Sequence, residues 1–85
     1  MTHTEFISTI LSQQDISNKV HSSESELEDG HIQLDGYHLQ VNPFPGGYII
    51  LNKDLENGNY VEVVQRSYGK RGIKSIIAAI RKHAK

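Results

Sequence analysis

Apolar residues recur along this chain with two different periods, and the changes of period divide it into elements. Phe6, Ile7, Ile10 and Leu11 return at i, i+1, i+4 and i+5, the single stripe of an amphipathic helix over residues 2–14. Thr2 and Glu5 stand at capping-box spacing, where hydroxyl and carboxylate each satisfy a backbone N–H at the helix start. From residue 31 the period drops to two. His31-Ile32-Gln33-Leu34 and Tyr37-His38-Leu39-Gln40-Val41 alternate on either side of Asp35-Gly36, a strong signal for a type I′ hairpin. A two-residue turn pairs Leu34 with Tyr37 and Ile32 with Leu39 on one face. It leaves His31, Gln33, His38 and Gln40 on the other, and a slip of one residue would invert every side chain. The alternative is one long strand with a bulge at Gly36, which gives three strands in all.

Pro43-Phe44-Pro45-Gly46-Gly47 reads as a turn. Residues 48–55 and 60–66 then form a second pair of strands around Asn57-Gly58, and a two-residue turn there sets Lys53 opposite Glu62. Near the end the period returns to 3.6. Ile73, Ile76, Ile77, Ile80 and Ala84 recur at i, i+3, i+4, i+7 and i+11. The expected fold is therefore α+β: an N-terminal helix, a four-stranded antiparallel meander, and a C-terminal amphipathic helix packed on one sheet face. Residues 21–30, His-Ser-Ser-Glu-Ser-Glu-Leu-Glu-Asp-Gly, have the composition of an acidic, flexible linker inside a single domain spanning residues 1–85.

Composition adds limits rather than detail. With 85 residues, 36% apolar and no tryptophan, the core must be thin, and assembly into a homodimer is an easy route to extra stability. The absence of cysteine removes disulfides, thiolate metal sites and thiol nucleophiles. The first residues lack a basic and then apolar signal-peptide pattern, and the apolar runs are far too short to span a membrane, so the expectation is a cytoplasmic protein.

Charge changes the picture more. Arg66, Lys70, Arg71, Lys74, Arg81, Lys82 and Lys85 follow residue 65 with no acid among them, while residues 1–35 hold seven acids against Lys19 alone. The formal net charge of −1 thus conceals a chain polarised from end to end, which bears on partners rather than on fold. Either the basic part meets an anionic partner, or the acidic part lies on it. Arg81, Lys82 and Lys85 suit the negative end of the last helix's dipole. Lys70, Arg71 and Lys74 crowd its positive end, where cations are misplaced and phosphates or carboxylates are welcome. Phe44, held between two prolines, is either an anchor for a partner or a lid folded over the thin core.

Gly69-Lys70-Arg71-Gly72 is similar to the glycine-x-x-glycine loop with which KH domains clamp backbone phosphates. Lys70-Arg71-Gly72-Ile73-Lys74 resembles the lysine cluster opening the last helix of double-stranded-RNA-binding domains. That family runs helix, three strands, helix, and the resemblance implies binding of structured RNA through residues 66–85. The glycine-proline-histidine loop of that family is replaced here by Asn42-Pro43-Phe44-Pro45-Gly46-Gly47.

His31 and His38 share a hairpin face near Glu28 and Asp29, but no close-spaced ligand pair marks a metal site, so none is expected, nor any cofactor. No nucleophile–base motif, phosphate loop or dinucleotide signature appears, which points away from an enzyme. A basic amphipathic helix could lie on an anionic membrane, but its isoleucines are needed for the core, so no membrane partner is expected. The reading that follows is a non-enzymatic protein-interaction module. It is a small regulator, adaptor or inhibitor that meets a protein or nucleoprotein, similar in style to the small regulators and inhibitors, anti-defence proteins among them, that bacteria, phages and plasmids encode. Nucleic-acid binding is the alternative. The partner-binding residues expected are Phe44, Arg66, Lys70, Arg71, Lys74, Arg81, Lys82 and Lys85.

Overall fold

A computed structural model describes residues 2–84, and Lys85 lies outside the described residues. Helix α1 (His3–Leu11) opens at Thr2, whose hydroxyl accepts from the Glu5 backbone N–H at 3.1 Å. The expected helix over residues 2–14 is shorter than its pattern. It stops at Leu11, and the separate short helix α2 (Gln14–Ser17) follows and buries Ile16.

Where composition suggests a linker, residues 24–28 form the short helix α3 (Glu24–Glu28). The reason is local. Ser23 and Glu26 make a complete capping box, with the Ser23 hydroxyl accepting from Glu26 N–H and the Glu26 carboxylate from Ser23 N–H. Those hydrogen bonds, Ser23 N–H first and the hydroxyl second, hold the Glu26 carboxyl below the usual carboxylate range.

Four antiparallel strands follow: β1 (His31–Gln33), β2 (Tyr37–Val41), β3 (Tyr48–Asp54) and β4 (Tyr60–Ser67), in the spatial order β1-β2-β3-β4. The meander of four is present, and the chain breaks between β1 and β2 instead of bulging at Gly36. Ile32 faces Leu39, Gln33 faces His38, and Leu34 N–H donates to Tyr37 O at 2.8 Å, the register that alternation predicts. The turn type differs. Gly36 has φ 74° whereas Asp35 does not take positive φ, so the turn has the dihedral pattern of type II rather than type I′.

The β3–β4 hairpin departs from a two-residue turn. Glu56, Asn57 and Gly58 intervene between Leu55 and Asn59, with both Asn57 and Gly58 at positive φ. The extra residue moves the register by one, so Lys53 faces Val61 and Asn52 faces Glu62. A bulge leaving Val63 unpaired then restores the register, and Leu51 faces Val64. The expected Lys53–Glu62 pair does not form because it falls between the turn and this bulge.

Helix α4 (Lys70–His83) packs against β3 and β4. Its stripe of Ile73, Ile76, Ile77, Ile80 and Ala84 is buried, and it meets Phe6, Ile10, Ile16, Ile32, Leu34, Leu39, Val41, Ile49 and Leu51 in one core. Gly72 sits where α4 crosses the end of β4. A Cβ at that position would lie 1.7 Å from the Ser67 carbonyl oxygen. Its role is close packing, and a strand precedes it rather than the helix of a KH domain. No helix among the described residues is long and apolar enough to cross a membrane.

Candidate functional site

Asn42 N–H donates to Tyr48 O at 2.9 Å, closing the loop between β2 and β3. Within it Gly47 N–H donates to Phe44 O at 2.7 Å across Pro45 and Gly46, and Gly46 has φ 78°. Proline followed by a positive-φ glycine is the signature of a type II turn, which fixes the loop's shape. The Phe44 side chain is not folded onto the core but is 67% exposed.

The next hydrogen bond ties this loop to the start of α4. Tyr68 N–H donates to Gly47 O at 3.0 Å, and Lys70 and Arg71 follow two and three residues later. Phe44, Lys70, Arg71 and Lys74, separated by up to thirty residues of sequence, therefore share one end of the sheet. The first turn of α4 holds no acid, and its N-cap Gly69 makes no side-chain hydrogen bond. Lys70, Arg71 and Lys74 are exposed and, among the described residues, make neither an ion pair nor a side-chain hydrogen bond. Cations placed there oppose the helix dipole, at a cost of about 0.3–1 kcal/mol each.

The remaining predicted residues lie elsewhere. Arg66 lies along the open edge of β4, its Nε donating to Ser75 Oγ at 2.7 Å and its Nη1 to Gln65 O at 2.8 Å. Lys82 lies beside it, lining a shallow depression with Val64, Ser75 and Ala79. Arg81 is taken up by Asp15 and Gln13 and serves as a strut between α4 and α2. The Arg81 hydrogen bond holds the Asp15 carboxyl below its ordinary value.

Among the described residues Asp15 is the one N-terminal acid paired with a cation of α4. Asp35 pairs with His21, Glu26 caps α3, and α3 packs on β1 and α1. Helix α4 packs on β3 and β4, two and three strand positions from β1.

The outer sheet face carries a second polar group that the histidine spacing only half reveals. His38 Nδ1–H donates to Asp54 at 2.6 Å, its Nε2 accepts from Asn52 Nδ2 at 3.2 Å, and Gln33 Nε2 donates to the second Asp54 oxygen at 2.7 Å. Tyr60 closes edge-on over the imidazole at 4.9 Å between centroids. Both His38 nitrogens are engaged, which leaves it no lone pair for a metal or a substrate proton in this arrangement. Its signal in sequence was only the alternation that put Gln33 and His38 on one face; Asp54 and Asn52 come from β3. Among the described residues no group of three or more histidine and acidic side chains is gathered for a metal ion. Compared with known proteins, the chain matches no family model, no curated protein and no solved structure.

Proposed function

We propose that this chain is a non-enzymatic protein-interaction module that seats Phe44, Lys70, Arg71 and Lys74 on an acidic surface of a protein partner. One observation carries the reading: a 67% exposed aromatic, held by a stiff turn, shares the end of the sheet with three cations that folding leaves without carboxylates. An aromatic anchor beside desolvatable cations is the composition of a binding hot spot. The cations cost helix stability and make no ion pair or side-chain hydrogen bond among the described residues, so a contact outside the molecule is their simplest return. Cytoplasmic location and the role of a small regulator or inhibitor belong to the same proposal.

The second reading, structured RNA, rests on the Lys70-Arg71-Lys74 cluster opening a helix that packs on an antiparallel sheet, as in double-stranded-RNA-binding domains. The test is affinity capture from source-cell extract, with and without nuclease, using the wild type, Lys70→Glu/Arg71→Glu/Lys74→Glu, and Phe44→Ala. A protein that survives nuclease and is lost with both variants supports the proposal. Loss of every partner on nuclease treatment favours RNA, and full retention by the triple variant sinks both readings.

A further inference from the structure

The sequence assigns α1 a single apolar stripe, but folding splits it. Phe6 and Ile10 are fully buried in the core, whereas Ile7, packed at the core's margin, and Leu11 are only partly buried. They look across a mainly apolar cleft of about 760 Å³ at Leu27 of α3, with His3 Nε2 donating to Leu27 O at 2.7 Å to bridge the two helices. Glu24 and Glu28, one turn apart on the same side of α3, line the cleft as well. Among the described residues neither carboxylate has an ion-pair or hydrogen-bond partner, and no lysine or arginine lines the cleft.

We propose that this cleft between α1 and α3 binds an amphipathic helix of another protein, with lysines or arginines along one flank. The argument for a helix is backbone chemistry. The cleft walls are helices, which offer no extended row of N–H and C=O groups on which a strand could be added. An occupant of an apolar slot must therefore satisfy its own backbone. The nine residues of α1 span about 13 Å, room for two to three turns presenting apolar residues at i, i+3 or i+4, and i+7. The argument for cations is the pair Glu24 and Glu28 at i, i+4, which matches lysines or arginines at the same spacing on the incoming helix. A second copy of this chain cannot supply that helix, because the isoleucine stripe of its cationic helix α4 is buried in its own core. This surface is separate from the Phe44 end and independent of the function proposed there; together they would make the molecule an adaptor with a basic and an acidic docking edge.

The experiment uses the full chain and two capped amphipathic peptides of about 14 residues, roughly four turns. Both carry leucines on one face, with lysines on the flanks of one peptide and glutamates on the other. The lysine peptide should bind saturably and shift the methyl resonances of Ile7, Leu11 and Leu27, with the glutamate peptide weaker by about tenfold or more. Glu24→Lys/Glu28→Lys should reverse that preference. Should the reversal perturb the circular dichroism spectrum, Glu24→Gln/Glu28→Gln is expected to abolish the preference while keeping the spectrum. Lys70→Glu/Arg71→Glu/Lys74→Glu should leave lysine-peptide binding unchanged, which separates this proposal from the one above. Equal binding of the two peptides, shifts confined to the outer sheet face, or no saturation by about 1 mM peptide would overturn it.

Discussion

Arg81 grips Asp15 in a two-pronged ion pair across 66 positions of sequence: Nε donates to Oδ2 at 2.9 Å and Nη2 to Oδ1 at 3.1 Å. The same guanidinium reaches Gln13 Oε1 at 2.8 Å, and Lys19 Nζ donates to the carbonyl of Ala84, so the end of α4 is fastened to the α2 region by side chains of both. A fork-shaped donor on a carboxylate is the strongest geometry available to an exposed pair, and water and salt still screen it.

A pH dependence follows. The Asp15 carboxyl lies below its ordinary value of 3.8 in the folded chain, chiefly through the Arg81 hydrogen bond. A depressed carboxylate contributes stability that is fully present above the unfolded value and is lost as pH falls through the folded one. The urea midpoint of the wild type should therefore drop below about pH 4 by more than that of Arg81→Gln. Parallel pH profiles for the two proteins would show that the pair contributes nothing in solution.

Gly72→Ala should destabilise the domain by about 3 kcal/mol or more, since the new Cβ meets backbone rather than a movable side chain. Thermal melting followed by circular dichroism checks it. A melting temperature within error of wild type would mean that α4 rides further from β4 than described.

Gly36 is a contrasting case. A Cβ there meets nothing within 4 Å, so only its φ of 74° resists substitution. Gly36→Val should cost about 1–2 kcal/mol in chemical denaturation, and Gly36→Asn less, because asparagine tolerates this region. Equal losses for the two would point to packing instead of backbone conformation.

Asp54→Ala removes the acceptor shared by His38 and Gln33 and should cost about 1–3 kcal/mol. The nitrogen resonances of neutral His38 should report the Nδ1–H tautomer, since Nδ1 faces the carboxylate and Nε2 faces the Asn52 amide. The opposite tautomer would leave the Nδ1 lone pair against the carboxylate and would mean that the His38–Asp54 hydrogen bond does not form in solution.

By itself, the sequence determined whatever a period of 2.0 or 3.6 can specify. Ile73, Ile76, Ile77 and Ile80 are buried because a helical stripe of four isoleucines has one inexpensive place to go. Ile32 meets Leu39 because a slip of one residue would expose every apolar side chain of both strands. Local chemistry was legible too, although the Ser23–Glu26 capping box was overshadowed by the acidic composition around it. Tertiary structure alone decided the rest. It chose which part of the α1 stripe is fully enclosed: Phe6 and Ile10 lie inside the core, while Ile7 at its margin and Leu11 also line the cleft. It separated Arg81 from the other cations by supplying Asp15, and it tied the loop of Phe44 to the segment that leads into α4 through a hydrogen bond from Tyr68 to Gly47. Each of these depends on residues distant in sequence. Their contact is fixed by the packing of whole elements, and no local pattern of hydrophobicity or charge encodes which distant neighbour will be there.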